Sequence, residues 1–433
     1  MFFMNNFFSK LFVFLHYKIH IKIYKPYIEQ YVTAFHHWKI LQKIKKKDII
    51  NVIFLPMNVA MWKYQGLYDL LKKDSHFRLF VFLAPASTFS HESRCDDIKK
   101  MRKYFSAQGI PFVDYKLEEG IEAIDIPTIV DPDIIFYAQP YETAVDRIYN
   151  YRRFEHSLIC HVPYSFRNTN SDFFDDNSRF NNNAWKLYYS TTETKRFAQK
   201  HAFNHGRNVV VVGYPSADEY AKPIIHDPWK IKNKKRIIWA PHFTIIEGVG
   251  FSKMSNFLNM AEFMRQLAID YSDEVTFAFK PHPRLYSELV KHPKWGEERT
   301  KEYFAFWENS PTTQLETGDF ADLFKSSDAM IHDSGSFTVD YLYFGKPVLY
   351  DNPNIQAAKA TANETAKRAY DVHYQITNLN DIKSFIDEVV LAGNDTMKTL
   401  REEYYRKYLL PPNGNSVAQN IYDDLIKSLG IKK

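Results

Sequence analysis

Glycine and cysteine are the residue types that this 433-residue sequence uses most sparingly. With 14 glycines, it contains no glycine-rich dinucleotide fingerprint, no Walker-type phosphate loop and no Gly-x-Ser-x-Gly elbow. These absences argue against the nucleotide-binding proteins and hydrolases that depend on such motifs. The two cysteines, Cys95 and Cys160, lie far apart and form no metal-ligand pattern. We expect both to be buried thiols in a reducing compartment.

The positive charge of the chain is concentrated at its N-terminus. Residues 1–47 hold nine lysines and one acidic residue, Glu29, so the net charge of +5 divides into +8 there and −3 elsewhere. Aromatic and aliphatic residues of 2–15 recur at helical spacing, but polar residues interrupt them, so the run is too short to span a bilayer. Neither a charged region before it nor a cleavage site after it indicates a signal peptide.

Lysine mixed with aromatic residues is typical of a helix that lies on an anionic membrane. We therefore interpret residues 1–47 as a basic amphipathic extension that contacts a membrane surface. The alternative is a helix that packs on the body of the protein with its lysines in water.

Length and composition favour two α/β domains. A chain of 433 residues is long for one core, and 45% hydrophobic with 25% charged residues is typical of globular proteins. Short apolar runs alternate with helical segments, which predicts doubly wound, mostly parallel sheets. We place one domain at 48–222, a linker at 223–235 and a second domain at 236–433. The predicted strands are 49–55, 79–83, 110–113, 133–137, 157–161, 186–190, 208–212, 236–240, 275–279, 329–331 and 347–350.

Five polar loops directly follow predicted strands, at the sheet edge that binds ligands in open α/β folds. Their candidate residues are His161, Gly213, Pro241, His242, Thr244, Lys280, His282, Arg284, Asp333, Ser334, Gly335 and Ser336. The turn 333–336 precedes a predicted helix that ends at Gly345, so it suits either a helix cap or an anion. Lys280 and Arg284 suit a phosphate or a solvated loop. His161, His282, His242 and Thr244 also have purely structural interpretations. We interpret Asp131 and Asp133 as a turn and expect no metal.

The order of these motifs resembles that of the CDP-glycerol glycerophosphotransferase family, which includes teichoic-acid primases and polymerases and capsule-synthesis relatives. His161-Val162-Pro163-Tyr164 resembles its histidine-glycine loop. The segments 213–218, 239–242, 280–283, 332–350 and 413–416 are similar to its other motifs. Val162, Ser216, Gly335 and Asn413 depart from its usual residues, and residues 1–150 show no specific match.

The resemblance implies two Rossmann-like domains facing across a cleft in the GT-B arrangement, with the donor nucleotide on the C-terminal domain. It implies transfer of glycerol phosphate or a similar polyol phosphate from a CDP-activated donor to a hydroxyl of a polymer or lipid-linked acceptor, teichoic-acid-like or capsular, with release of CMP. A histidine suits the base, a role we give to His161. His282 is the second catalytic candidate, and Asp340 joins the donor-binding candidates.

Two alternatives remain open beside this interpretation. One is a GT-B glycosyltransferase that uses a nucleotide sugar for capsule or lipopolysaccharide synthesis. The other is a non-catalytic scaffold in a polymer-assembly complex. Under the favoured interpretation we expect no cofactor, no metal in the site and no nucleic-acid partner. We expect a cytoplasmic protein that is peripherally associated with the inner face of the cell membrane.

Overall fold

A computed structural model describes residues 25–115, 117, 124–169, 177–246, 255–318 and 320–432 of the chain. The apolar residues of 2–15, on which the N-terminal prediction partly rests, lie outside the described residues. The described residues form two compact units. The first unit takes them from Met1–Tyr164, Ser171–Pro215 and Pro411–Lys433, and the second from Ser165–Asn170 and Ser216–Leu410. Each unit is therefore built from separate stretches of sequence.

The first unit contains a six-stranded sheet in the order β2-β1-β3-β4-β5-β6, in which every pair is parallel. Its central strands are apolar on both faces because helices flank a parallel sheet on both sides. The strands are β1 (Ile50–Leu55), β2 (Phe77–Val81), β3 (Ile134–Tyr137), β4 (Leu158–His161), β5 (Lys186–Tyr189) and β6 (Val209–Val211). Its helices are α1 (Lys25–Ile44), α2 (Gln65–Lys73), α3 (His91–Ala107), α4 (Ile126–Ile129), α5 (Arg179–Asn183) and α6 (Thr192–His201), with short 3₁₀ turns at Arg147–Tyr149 and Tyr151–Arg153.

The second unit repeats the design with the order β12-β11-β10-β7-β8-β9, again all parallel. Its strands are β7 (Lys235–Ala240), β8 (Val275–Phe279), β9 (Thr313–Leu315), β10 (Ala329–His332), β11 (Val348–Tyr350) and β12 (Tyr374–Gln375). Its helices are α7 (Ser216–Tyr220), α8 (Phe257–Asp270), α9 (Leu285–Lys291), α10 (Gly296–Asn309), α11 (Ala321–Ser326), α12 (Phe337–Asp340), α13 (Ile355–Thr361), α14 (Glu364–Tyr370), α15 (Asn380–Ser384) and α16 (Lys398–Tyr404). A 3₁₀ turn at Tyr341–Phe344 extends α12, and π-helical turns at Phe385–Leu391 and Tyr405–Leu409 extend α15 and α16.

The chain ends in the first unit, with a 3₁₀ turn at Pro412–Gly414 and helix α17 (Val417–Leu429). Asp424 accepts hydrogen bonds from Lys186 and Tyr188 of β5, and Tyr422 donates one to Asp74 at the end of α2. Both contacts join residues more than 200 positions apart in sequence. The last helix is thus an integral layer of the N-terminal sheet unit.

Aromatic side chains fill the cores, which explains their 16% share of the sequence. In the second unit the buried rings of Trp239, Phe279 and Trp307 pack with centroids 5.0–5.5 Å apart. In the first unit Phe54 stacks on Phe136 with centroids 5.1 Å apart. Each such ring buries a large apolar area, the dominant favourable contribution to folding.

The structure confirms the predicted fold class of two Rossmann-like parallel α/β units. The prediction of a strand at 110–113 is wrong, because there only Val113 forms an isolated bridge, to Phe82. Strands β9 and β12 were not predicted. Both are edge strands of two or three residues, too short to give a periodic apolar signal.

Helix α1 uses two opposite faces. Ile40 and Ile44 are buried, and Glu29 and Thr33 bond Arg179 and Asn183 of the first unit, which fixes the inward face. The outward face exposes more than half of each of five large apolar side chains, Ile28, Tyr31, Val32, Phe35 and Trp38. Among the described residues, no helix has the length and apolarity that crossing a membrane would require.

Candidate active site

His161 is the last residue of β4 and lies in the first unit. Its side chain is almost completely buried, with the ring edge toward Phe180 at a centroid distance of 6.0 Å. Nδ1 lies 2.9 Å from the carbonyl oxygen of Tyr137. A carbonyl only accepts, so Nδ1 carries the proton and Nε2 keeps its lone pair. Burial lowers the pKa of His161 to about 4, against a smaller opposite effect of the Tyr137 bond. The ring is therefore neutral at pH 7, the state a base requires.

Gly213 also lies in the first unit, two residues after β6. Its φ of +100° is in the region that favours glycine. A Cβ at this position would lie 2.9 Å from the Cβ of Pro411 and 3.0 Å from a methyl group of Val417. The C-terminal segment thus packs directly on its backbone. This gives Gly213 a packing role, and its contact with a donor stays a prediction.

The remaining candidates belong to the second unit, where the loops after β7, β8 and β10 hold one another. The His282 N–H donates to the Pro241 carbonyl at 3.0 Å, which ties the loop after β8 to the loop after β7. The His242 N–H donates to Asp333 Oδ1, which ties the loop after β7 to the turn after β10. Parallel strands bring these loops to one edge of the sheet, as the sequence predicted.

Asp333 is the centre of this arrangement and is fully buried. Besides His242, its carboxylate accepts hydrogen bonds from Ser255 Oγ at 2.9 Å and from the Asn256 N–H at 2.6 Å. Burial raises its pKa, and these donors, which favour the ionised form, oppose that shift. Both of its oxygens are engaged by protein donors. The Asp333 side chain therefore organises the surrounding loops.

His242 and His282 are adjacent, with ring centroids 5.1 Å apart. His282 Nδ1 accepts from the Arg284 N–H at 3.1 Å, and His242 Nδ1 pairs with Thr244 Oγ1 at 2.8 Å and accepts from the Thr244 N–H at 3.4 Å. In each neutral ring the proton consequently lies on Nε2. Burial lowers the pKa of His242 to about 3, with smaller contributions from His282 and then Arg284. Burial lowers the pKa of His282 to about 4, with smaller contributions from Arg284 and then Lys280. At pH 7 these are two neutral N–H donors.

Two cations accompany the histidines. The Arg284 guanidinium lies over the Phe243 ring, 4.1 Å from its centroid, and more than half of the side chain is exposed. Lys280 is buried, and its Nζ donates to the Gly318 carbonyl at 2.8 Å. The Phe243 ring also packs on His282 at 4.4 Å. Arg284, whose guanidinium also pairs with Glu288 Oε1 at 3.4 Å, therefore holds its charge at the surface beside the histidines, whereas Lys280 fixes the end of β8.

The turn after β10 leads from Asp333 through Ser334, Gly335 and Ser336 into α12. Ser334 is buried, Gly335 is half-buried and Ser336 is exposed. The Ser336 side chain caps no helix N–H. One turn further on, buried Asp340 accepts a hydrogen bond of 2.6 Å from the Tyr220 hydroxyl. The turn thus opens to solvent at Gly335 and Ser336, and Asp340 anchors the helix that follows.

Asp351, which directly follows β11, was missed in the sequence. It is buried and accepts from Trp239 Nε1 at 3.2 Å. Burial, with the nearby Asp333 carboxylate, raises its pKa well above the usual value. The strand-end rule that found Asp333 would have found it as well. The predicted turn at Asp131 and Asp133 is paired with Lys47, whose Nζ lies 2.6 Å from Asp133 Oδ1.

A model of the family "CDP-Glycerol:Poly(glycerophosphate) glycerophosphotransferase" matches residues 162–423, more than half of the chain. No curated protein sequence matches. Among solved structures, the wall teichoic acid polymerase TagF is similar with a TM-score of 0.56 at 13% identity, covering 93% of this chain and 98% of that one. A putative UDP-N-acetylglucosamine 2-epimerase from Listeria monocytogenes is similar with a TM-score of 0.57 at 14% identity. The S. aureus MnaA–UDP structure is similar with a TM-score of 0.54 at 16% identity. Each match covers 89% of this chain and 98% of the other chain. At such identities the likeness establishes the fold.

Proposed function

Since this chain belongs to the CDP-glycerol:poly(glycerophosphate) glycerophosphotransferase family, and is a transferase, we propose that it moves glycerol phosphate, or a similar polyol phosphate, from a CDP-activated donor to a hydroxyl of a membrane-linked surface polymer. The polymer is teichoic-acid-like or capsular. The observation that carries the proposal is the family match over residues 162–423. This range contains every candidate residue except His161, which lies one residue before its start.

The proposed step is a displacement at the phosphorus that bears the glycerol group. The acceptor hydroxyl forms a new P–O bond, and the bond from that phosphorus to the bridging oxygen of CMP breaks, so CMP leaves with the electron pair. The hydroxyl proton passes to Nε2 of His161. Its lone pair is available because Nδ1–H is held by the Tyr137 carbonyl.

The donor diphosphate is assigned to the second unit. The Nε2–H groups of His242 and His282, the Arg284 guanidinium, and the amides and hydroxyls of Ser334, Gly335 and Ser336 are its proposed ligands. Preorganised donors of this kind stabilise the charge that develops on a leaving group. Lys280, Asp333, Asp340, Pro241 and Thr244 support that set through the contacts described above, and Gly213 supports the first unit.

The test is the identity of the nucleotide released. The purified protein is incubated with one donor at a time, CDP-glycerol, CDP-ribitol or a UDP-sugar, in the presence and in the absence of membranes. We expect CMP from a CDP-polyol, dependent on added membranes, and about 10³-fold slower release from a His161→Asn variant. Release of uridine diphosphate alone would support the nucleotide-sugar transferase instead. No turnover of any donor, by wild type and variants alike, would support the scaffold.

We also propose that α1 seats the protein on the inner face of the cell membrane, near its acceptor. Phe35 and Trp38 stack with centroids 5.8 Å apart on the exposed face, and Lys39 Nζ lies 4.6 Å from the Phe35 ring. Aromatic rings and lysines on one outward face suit the interface of an anionic bilayer. Exposed lysines 43, 45 and 46 follow in the same segment.

Sedimentation with vesicles tests this placement. We expect wild type to sediment with vesicles rich in phosphatidylglycerol more than with phosphatidylcholine alone, and Phe35→Ser/Trp38→Ser to lose most of that binding. Ile225→Ser is the matched control, since Ile225 is 83% exposed but lies outside α1. Equal sedimentation of all three proteins would contradict the role of α1.

A further inference from the structure

The turn after β10, residues 333–336, contains two consecutive peptide units whose carbonyl oxygens accept hydrogen bonds from side chains. In a trans peptide the carbonyl of one residue and the N–H of the next lie in one plane and point in opposite directions. A side chain that fixes the carbonyl of Ser334 therefore fixes the direction of the Gly335 N–H. One that fixes the carbonyl of Gly335 likewise fixes the direction of the Ser336 N–H.

The Ser334 carbonyl accepts two hydrogen bonds. His332 Nδ1 lies 3.1 Å from it and Thr338 Oγ1 donates to it at 3.1 Å. Because the carbonyl can only accept, His332 carries its proton on Nδ1. His332 and Thr338 are both completely buried, so water does not compete for these bonds.

The Gly335 carbonyl accepts a hydrogen bond of 2.6 Å from Nδ2 of Asn168. Asn168 belongs to the short stretch Ser165–Asn170 that joins the second unit. Asn363 clamps this stretch, since its N–H donates to the Asn168 carbonyl at 2.8 Å and its Nδ2 donates to the Arg167 carbonyl at 2.5 Å. A bridge between Thr169 and Ala362 adds to the clamp. Asn168 is thus held from behind while it holds the turn.

Neither amide of the turn, at Gly335 or at Ser336, meets a protein acceptor among the residues that the structure describes. Both residues are at least partly exposed, whereas the carbonyls beside them are engaged by side chains. An anion binds best where N–H groups already point at it, since no reorganisation is then needed. Turning either peptide unit over would bring a carbonyl oxygen toward the anion and repel it.

We infer that Asn168, His332 and Thr338 are positioning residues that hold the Gly335 and Ser336 N–H groups toward a diphosphate. The inference rests on the proposed function, since it assigns the donor diphosphate to this turn. In this inference the three side chains do not contact the diphosphate. They act through the peptide planes, and they explain why a stretch far away in sequence is bonded to the turn.

Side-chain variants of Thr338 and Asn168 test the inference. Thr338→Val keeps the shape and removes the hydroxyl, and Thr338→Ser keeps the hydroxyl. Asn168→Ala removes the donor to Gly335. We expect kcat/KM for CDP-glycerol to fall about tenfold for Thr338→Val and for Asn168→Ala, and about a hundredfold for the double variant. The kcat/KM of Thr338→Ser should stay within about twofold of the wild-type value, because the hydroxyl and its hydrogen bond are retained. The KM for the acceptor should not change in any of them.

Calorimetric titration with inorganic diphosphate separates this inference from the proposed reaction. If wild type binds diphosphate and the Thr338→Val and Asn168→Ala variants bind it about tenfold more weakly, the positioning role stands even where no CMP is released. Equal behaviour of Thr338→Val and Thr338→Ser would overturn it, as would losses confined to the acceptor KM. If wild type releases CMP but the variants bind diphosphate as tightly as wild type does, the proposed function is supported and the positioning role is contradicted.

Discussion

The two units place histidines at the ends of their strands in contrasting surroundings. Among the residues that the structure describes, His161 of the first unit packs beside Phe180 and has one hydrogen bond, to a backbone carbonyl. His242 and His282 of the second unit are neighbours with two cations nearby, and their loops are fastened together through Asp333. A base needs a vacant lone pair, which isolation supplies. An anion-binding site needs several hydrogen-bond donors in fixed directions, which a connected set of loops supplies.

Replacing His161 should have the largest effect. His161→Asn keeps an N–H near the Nδ1 position for the Tyr137 carbonyl but removes the lone pair of Nε2. We expect kcat to fall by about 10³-fold, in the range for loss of a general base, with donor binding retained. Release of CMP by the purified variant measures kcat, and calorimetric titration with CDP measures donor binding. A variant that keeps wild-type kcat would remove His161 from the mechanism.

Replacing His282 should cost less, because it is one donor among several. His282→Asn retains an acceptor for the Arg284 N–H and loses the Nε2–H. We expect kcat/KM for the donor to fall by about 10²-fold, the usual result of removing one donor from an oxyanion site. His292→Asn serves as a control, since His292 is a buried histidine of the same unit after α9. Equal losses in both variants would indicate damage to the fold.

The sequence identified the sheets and their functional edge because apolar runs followed by polar residues are strong signals. Strand β8 was predicted with its observed bounds, since five apolar or β-branched residues precede Lys280-Pro281. The sequence could not identify the hydrogen-bond partner of each polar atom. Asn168 lies 167 positions from Gly335, so no local pattern joins them. Nor could spacing distinguish Asp333, which organises loops, from a ligand.

Asp333 should matter for stability more than its neighbour Asp351. Asp333→Asn places an amide N–H₂ against N–H and O–H donors, so we expect the free energy of unfolding to fall by about 2–3 kcal/mol. Burial and the Asp333 carboxylate raise the pKa of Asp351, which favours its neutral form, so Asp351→Asn should destabilise less than Asp333→Asn. Urea unfolding of both variants measures the difference. Equal destabilisation would contradict the assigned roles.

A further difference is a pH dependence of stability that has opposite signs for His161 and Asp351. The pKa of His161 is lowered in the folded state, so as pH falls from about 6.5 towards 4 the unfolded chain binds a proton that the folded chain does not, and wild type loses stability. The pKa of Asp351 is raised, so wild type loses stability as pH rises above about 4. Each group contributes at most about 1.4 kcal/mol per pH unit.

Urea unfolding of His161→Asn and Asp351→Asn from pH 4 to pH 7 measures these contributions. Relative to wild type, the His161 variant should gain stability as pH falls, and the Asp351 variant should gain it as pH rises. Parallel curves for all three proteins would show that neither group titrates as described.

The return of the chain to the first unit through α17 constrains how the protein is made. Gly213 packs against Pro411, and Asp424 binds β5, so the first unit lacks a layer until the last part of the chain has been synthesised. At about 5–20 residues per second, the 196 positions between 215 and 411 take roughly 10–40 s to translate. During that interval the nascent first unit exposes an apolar surface to chaperones and proteases. Loss of the final helix by premature termination would therefore damage the N-terminal half of the enzyme, which has already been made.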